Sequence, residues 1–269
     1  MISLWLCYRL LDTKRDEGNM TDKYCCFVIS PGRCGTQWLG KALRAQLGNK
    51  YRIEHEPINF DYAPTINSPS SPLVINEEKI TVHLESILAT LKSGLGYIET
   101  GFPNWRHIAW LQQKISVEHG YAVKFIRIKR EPVANALSLL KLNAFVPPLL
   151  PHLPCKTFMR PTANDACLSE MSEFWSVLSP FEKCLYYWAE VQIQANKYQL
   201  KVDTDYWLDV SFEQLFLNNS MKRILDFLGE PFLPIKFLDK KYDQYGAAWY
   251  HVDTSDVHPE LKRIINVLI

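Results

Sequence analysis

The chain has no long apolar run, no surplus of one charge and no paired-cysteine spacing, and each absence excludes something. Basic and acidic residues number 30 and 29, for a net charge of +1. So even a balance argues against a general binder of nucleic acid or other polyanions, and any basic surface must be local. Each apolar stretch is too short to cross a bilayer, so no membrane partner is expected. The seven cysteines form no Cys-x-x-Cys pair and no zinc-type spacing, which implies reduced thiols and a reducing compartment, the cytoplasm. The first twenty residues lack the basic start and small-residue cleavage site of a secretory signal. They hold an apolar stretch from Ile2 to Leu11, interrupted by Arg9, and then the charged run Lys14-Arg15-Asp16-Glu17. Residues 1–20 are expected to be a peripheral segment, either a short packed helix or an extension of the reading frame ahead of Met20. Also missing is the nucleotide-hydrolase loop GxxxxGK[ST], with its phosphate-reaching lysine.

What is there begins at Tyr24. Cys25-Cys26-Phe27-Val28-Ile29 is an apolar run suited to a strand buried on both faces. Ser30-Pro31-Gly32-Arg33-Cys34-Gly35 follows as a turn. From Thr36 onward Leu39, Leu43 and Leu47 recur at helical spacing. A strand, a glycine-containing turn and a new helix gather free backbone N–H groups at one point, where the helix dipole also favours an anion. Arg33 adds a fixed positive charge. No arginine closes the turn after Cys34, so Cys34 does not read as a phosphatase nucleophile.

A second strand–turn–helix spans Ala122–Lys141. Val123, Phe125, Ile126 and Ile128 make the strand, Arg130-Glu131-Pro132 breaks it, and Pro132 suits the first turn of a helix carrying Ser138. A planar cation and a hydroxyl suit a dianionic phosphate. Between the two units, Lys50–Glu54 reads as a short strand leading into His55-Glu56-Pro57. Pro57 holds Glu56 extended, so both side chains fall on a loop at a strand's end, where parallel α/β sheets place ligands. With helices expected near 77–91, 107–118, 179–199 and 221–228, the chain reads as α/β. Ser211 and Gln214 suggest a capping box that starts the last of these.

The run PGRCGTQWL resembles the 5′-phosphosulfate loop of sulfotransferases that use 3′-phosphoadenosine 5′-phosphosulfate (PAPS), written PxxGTTWL or GRSGTTxL. It departs at Cys34, where serine is commoner, and at Gln37, where threonine or serine is commoner. The run from Arg130 to Ser138 resembles the family's RxPxxxxxS signature for the 3′-phosphate, here with Glu131 before the proline. VSFEQL…RILDFLG resembles the family's V-x-YE-x-L…FLG packing run, and YIETG its ESG or ETG turn. The closing RKG motif of cytosolic aryl and steroid sulfotransferases is missing, which puts those acceptors in doubt. The resemblance runs from about Tyr24 to Gly229.

It implies a three-layer α/β fold, a central parallel β-sheet flanked by helices, in one domain over 21–269. It implies donor contacts from Arg33, Cys34, Gly35, Thr36, Gln37, Trp38, Arg130 and Ser138, with PAPS as donor, PAP (adenosine 3′,5′-bisphosphate) as product and no metal, Arg33 standing in the cation's place. Two anion cradles would grip opposite ends of one donor. The resemblance further implies that the HEP segment would supply the general base, Glu56 or His55, and that Glu99 or Thr100 would face the acceptor. The proline-rich stretch at about 144–172 is expected to be a lid or acceptor-specificity insertion, with Phe145, His152, Lys156, Phe158 and Arg160 as candidate contacts. The acceptor is expected to be a soluble small molecule bearing a hydroxyl or amine. Two other readings stand beside this one: a non-catalytic PAPS- or PAP-binding protein of the same fold, and a P-loop kinase using ATP.

Overall fold

A computed structural model describes residues 23–58, 77–147, 157–163, 165–233 and 254–269. The apolar run forms β1 (Tyr24–Ile29), every residue of it buried. Strand alternation sends Cys25, Phe27 and Ile29 into one core and Tyr24, Cys26 and Val28 into another. A strand apolar on both faces belongs at the centre of a sheet covered on both sides. β1 does lie in the middle of a five-stranded sheet of order β2-β3-β1-β4-β5. The others are β2 (Tyr51–Glu54), β3 (Gly96–Glu99), β4 (Ala122–Lys129) and β5 (Trp207–Ser211). Every neighbouring pair is parallel.

Helices α1 (Thr36–Leu47) and α6 (Asn218–Leu228) cover one face, with Leu39, Leu43, Ile224 and Leu225 in the core beneath them. The other face carries α2 (Glu77–Lys92), α3 (Ile108–Gln112), α4 (Pro132–Leu140), α5 (Pro180–Gln199) and α7 (Pro259–Leu268). The three-layer α/β architecture with a central parallel sheet is therefore present. The chain builds outward from β1 to β2, returns through β3, and then crosses to β4 on the opposite side of β1. The reversal falls between β1 and β4, and in open parallel sheets the crevice at such a point is where ligands bind.

Two elements differ from their sequence reading. Residues 107–118 are not one α-helix: a 3-10 turn (Pro103–Arg106) leads into α3, and a π turn (Gln113–Glu118) ends it. The widened turn keeps Ile115 buried with Ile108 and Leu111. Ser211 does not cap a helix. Its hydroxyl donates to Glu213 Oε2 at 2.5 Å, and α6 begins only at Asn218. The residues between fold against the β1–α1 loop, where a Cβ on Gly35 would stand 2.9 Å from Leu215 Cδ2. Ser179 does cap α5, in a capping box with Glu182. Residues 1–20 and the proline-rich 148–156 lie outside the described residues, as do His152 and Lys156. Among the described residues no helix is long and apolar enough to cross a membrane.

Candidate functional site

The β1–α1 loop is shaped by positive φ angles at Gly32 (85°), Arg33 (56°) and Gly35 (73°). Backbone in this region turns successive N–H groups to one side, a concavity that suits an anion. Gly35 precedes α1 with no side-chain cap, so the helix's first N–H groups are left to an outside acceptor. Thr36 is buried, Gln37 exposed and Trp38 half-buried, its ring edge-on to Phe216 at 5.0 Å. Cys34 is fully buried and its thiol donates to the Gly32 carbonyl at 3.1 Å. Burial pushes that thiol up to about 12, so it is not a thiolate nucleophile at neutral pH. Cys34 shapes the turn from inside.

The structure brings the two strand–turn–helix units together. Arg33 Nε donates to Ser138 Oγ at 3.0 Å, across 105 residues. Arg130 Nη1 donates to the Arg33 carbonyl, and its guanidinium lies 4.2 Å over the Phe212 ring. Asn135, buried on α4, donates to the Gly32 carbonyl at 2.9 Å. Trp188 on α5 donates to the Arg130 carbonyl at 3.0 Å. Arg33, Arg130 and Ser138 thus flank the reversal between β1 and β4. Sequence reasoning missed Asn135, Phe212 and Trp188, whose roles depend on packing between distant elements.

The second unit is not a backbone cradle. Glu131 caps α4, its carboxylate accepting from Val133 N at 3.0 Å and Ala134 N at 2.6 Å. The proline at N1 marks such a cap, so this was readable in the sequence. What α4 offers an anion is the pair of side chains, Arg130 and Ser138. Arg130 Nε and Trp38 Nε1 are buried with no hydrogen-bond partner. An unpaired buried donor costs about 1–3 kcal/mol, and an oxyanion held against Arg130 would satisfy its Nε. The donor set therefore fits a phosphorylated ligand.

Beyond β2, Glu56 is not extended as Pro57 alone would favour but takes a left-handed conformation (φ 51°), where the chain turns against Gly101. A Cβ on Gly101 would stand 2.7 Å from Glu56 N, so glycine lets the two chains meet. His55 Nδ1 lies 3.4 Å from Thr100 Oγ1, and His55 Nε2 lies 3.5 Å from Glu56 Oε1. Burial, then the charge of Glu99, raises the Glu56 carboxyl above the usual carboxylate range, while burial lowers His55. Glu56 moves toward neutrality as a proton acceptor and His55 away from it. Glu99 and Thr100 are both buried, at 1% and 0% exposure, so neither faces an acceptor. Phe145 and Phe158 are also core residues, not open contacts, and Arg160 is half-buried.

The fold and these residues define a parallel α/β protein with Arg33, Arg130 and Ser138 gathered at the reversal of its sheet. No family model and no curated protein matches the chain. Among solved structures it resembles sulfotransferases. A sulfotransferase domain from the curacin biosynthetic pathway aligns at 13% identity with a TM-score of 0.49, covering 79% of this chain and 76% of that one. A sulfotransferase from Alicyclobacillus acidocaldarius aligns at 13% identity with a TM-score of 0.45, over 91% and 90%. Mouse sulfotransferase SULT7A1, complexed with PAP, aligns at 15% identity with a TM-score of 0.43, over 80% and 62%. The likeness is one of fold, and roles for individual residues rest on this chain's own chemistry.

Proposed function

We propose that the protein is a PAPS-dependent sulfotransferase that moves a sulfonate group to a hydroxyl or amine of a small-molecule acceptor and releases PAP. The observation that carries the reading is the meeting of Arg33 with Ser138 at 3.0 Å, which joins the two motifs that the sequence places far apart. The loop N–H groups from Gly32 to Trp38 would hold the 5′-phosphate end, with Thr36 and Gln37 beside it. Arg130 and Ser138 would hold the 3′-phosphate, supplying binding energy away from the reacting atoms. Arg33 would stabilise negative charge building on the leaving phosphate oxygen, in the place a metal ion takes elsewhere. PAPS supplies the activated sulfonate. Glu56 would take the acceptor's proton, with His55 the alternative base, 3.5 Å from it.

The test has two arms. Calorimetry with PAP reads donor binding, and a donor-saturated screen of acceptor pools reads the mass gain of one sulfonate. Binding weakened in Ser138→Ala and Arg130→Ala, together with transfer by the wild type, is the expected result. Absence of PAP binding by the wild type overturns the reading. Tight PAP binding with no transfer to any acceptor identifies a non-catalytic binder of the same fold.

A further inference from the structure

Behind the His55-Glu56 loop lies a buried polar cluster that the proposed chemistry does not use. Glu99, the last residue of β3, is 1% exposed. Its Oε2 lies 2.8 Å from His83 Nε2 on α2, and its Oε1 accepts from Asn104 Nδ2 at 3.0 Å. Tyr97, two residues back on the same face, has its hydroxyl 3.1 Å from Glu99 Oε2 and 3.0 Å from Glu54 Oε2. A hydroxyl has one proton to give, so it bridges the two carboxyl groups and cannot donate to both at once. Burying a carboxylate among core aromatics is costly, and apolar residues of similar volume often serve stability as well or better. The cluster calls for a use beyond packing.

Position supplies one. Glu99 pairs in register with Glu54 on β2. The next two residues, Thr100 and Gly101, are those that meet His55 and Glu56. We infer that Glu99 is a positioning residue: its carboxylate, fixed by His83, Asn104 and Tyr97 directly behind the loop, supplies the negative charge against which Glu56 takes up a proton. The inference rests on the reading of Glu56 as the base. A like charge close by disfavours ionisation of a carboxyl group and makes it a stronger proton acceptor. The rise in Glu56, to which the charge of Glu99 contributes after burial, agrees in direction.

The other groups around the pair are accounted for. His83 faces Glu99 from α2, and Tyr97 and Cys25 from β3 and β1. Glu54 stands across β2 with Arg52 on its far oxygen, which makes it the better compensated of the two bridged carboxylates. His55 feels Glu99 in one direction and Arg44 and Lys41 of α1 in the other.

The experiment follows the carboxyl carbon of Glu56 by NMR in carbon-13-labelled protein, across pH, without donor or acceptor. In Glu99→Gln the Glu56 midpoint is expected to fall by about one pH unit, and the acid limb of kcat/KM for sulfonate transfer to move with it. Glu99→Met, apolar and of similar size with His83 left in place, carries the same expectation if the Gln variant does not fold. Glu99→Asp retains the charge and is expected to keep the midpoint near that of the wild type. An unchanged midpoint in folded Glu99→Gln protein, or equal shifts in the Gln and Asp variants, overturns the inference. Because the titration needs no turnover, a chain that transfers no sulfonate yet shows the charge-dependent shift sinks the assignment as a transferase and leaves the Glu99–Glu56 coupling intact.

Discussion

Arg33 holds a left-handed backbone (φ 56°), which costs a residue with a Cβ about 1–2 kcal/mol, and from there its side chain reaches Ser138. In the proposed reaction that cost is offset when charge develops on the leaving group. Arg33→Ala is expected to lower kcat/KM by about 10²–10³-fold, the usual loss when one charge-stabilising donor is removed. Arg130→Ala is expected instead to weaken donor binding about tenfold to a hundredfold, the worth of a hydrogen bond to a charged group, with a smaller change in kcat. Steady-state kinetics with the donor varied separate the two. Equal losses in both parameters for both variants would mean the residues act as one structural unit. Glu56 carries a second expectation, in stability. Its folded-state carboxyl titrates above the ordinary 4.5, so the folded protein binds more protons than the unfolded chain just above that pH. Its contribution to stability is fully present below 4.5 and is lost as pH rises through the folded value. Glu56→Gln, followed by thermal unfolding across pH, should therefore gain on the wild type between acid and neutral pH. A constant difference would show that the carboxyl is not perturbed.

At the scale of elements, the loop and α1 depend on what glycine permits. A Cβ at Gly35 would meet Leu215 Cδ2 at 2.9 Å and Phe216 Cζ at 3.2 Å, at a φ of +73°. Gly35→Ala is expected to destabilise the fold by about 1–3 kcal/mol through strain and overpacking. It should weaken PAP binding as well, since the loop's N–H groups turn with it; denaturant unfolding and calorimetry read the two effects. Both strand–turn–helix units were legible in the sequence, the first from a strand apolar on both faces and a turn marked by proline and glycine, the second from Val123, Phe125, Ile126 and Ile128 broken at Pro132. The helix over 180–199 was legible from its cap. The turn after β5 was not, because Ser211 and Gln214 mimic a capping box while the Ser211 hydroxyl is bound to Glu213. The partnership of Glu99 with His83 was not legible either. It depends on how α2 lies across β3, and no local pattern in YIETG distinguishes a buried carboxylate from one facing a substrate.

For the molecule as a whole, the two cores are stitched through β1 and β4, and the crevice lies at their shared end. A ligand spanning both sides of that seam binds only the folded chain. PAP at about one hundred times its dissociation constant should add about 2.7 kcal/mol to stability and raise the unfolding midpoint with concentration. Inorganic phosphate, which touches one anchor at a time, should raise it less at equal concentration. A phosphate effect equal to that of PAP would argue that the anchors do not act on one ligand.

The separation of 105 positions between Arg33 and Ser138 also bears on biosynthesis. During translation the amino-terminal loop emerges first, yet its partner hydroxyl leaves the ribosome only after β4 and most of α4. A nascent polypeptide halted just before residue 138 holds the stretch PGRCGTQWL and Arg130 but lacks the Ser138 hydroxyl that ties the two units together. Donor affinity should switch on late and abruptly along the growing chain, when a long-range parallel pairing, slow by its topology, finally closes.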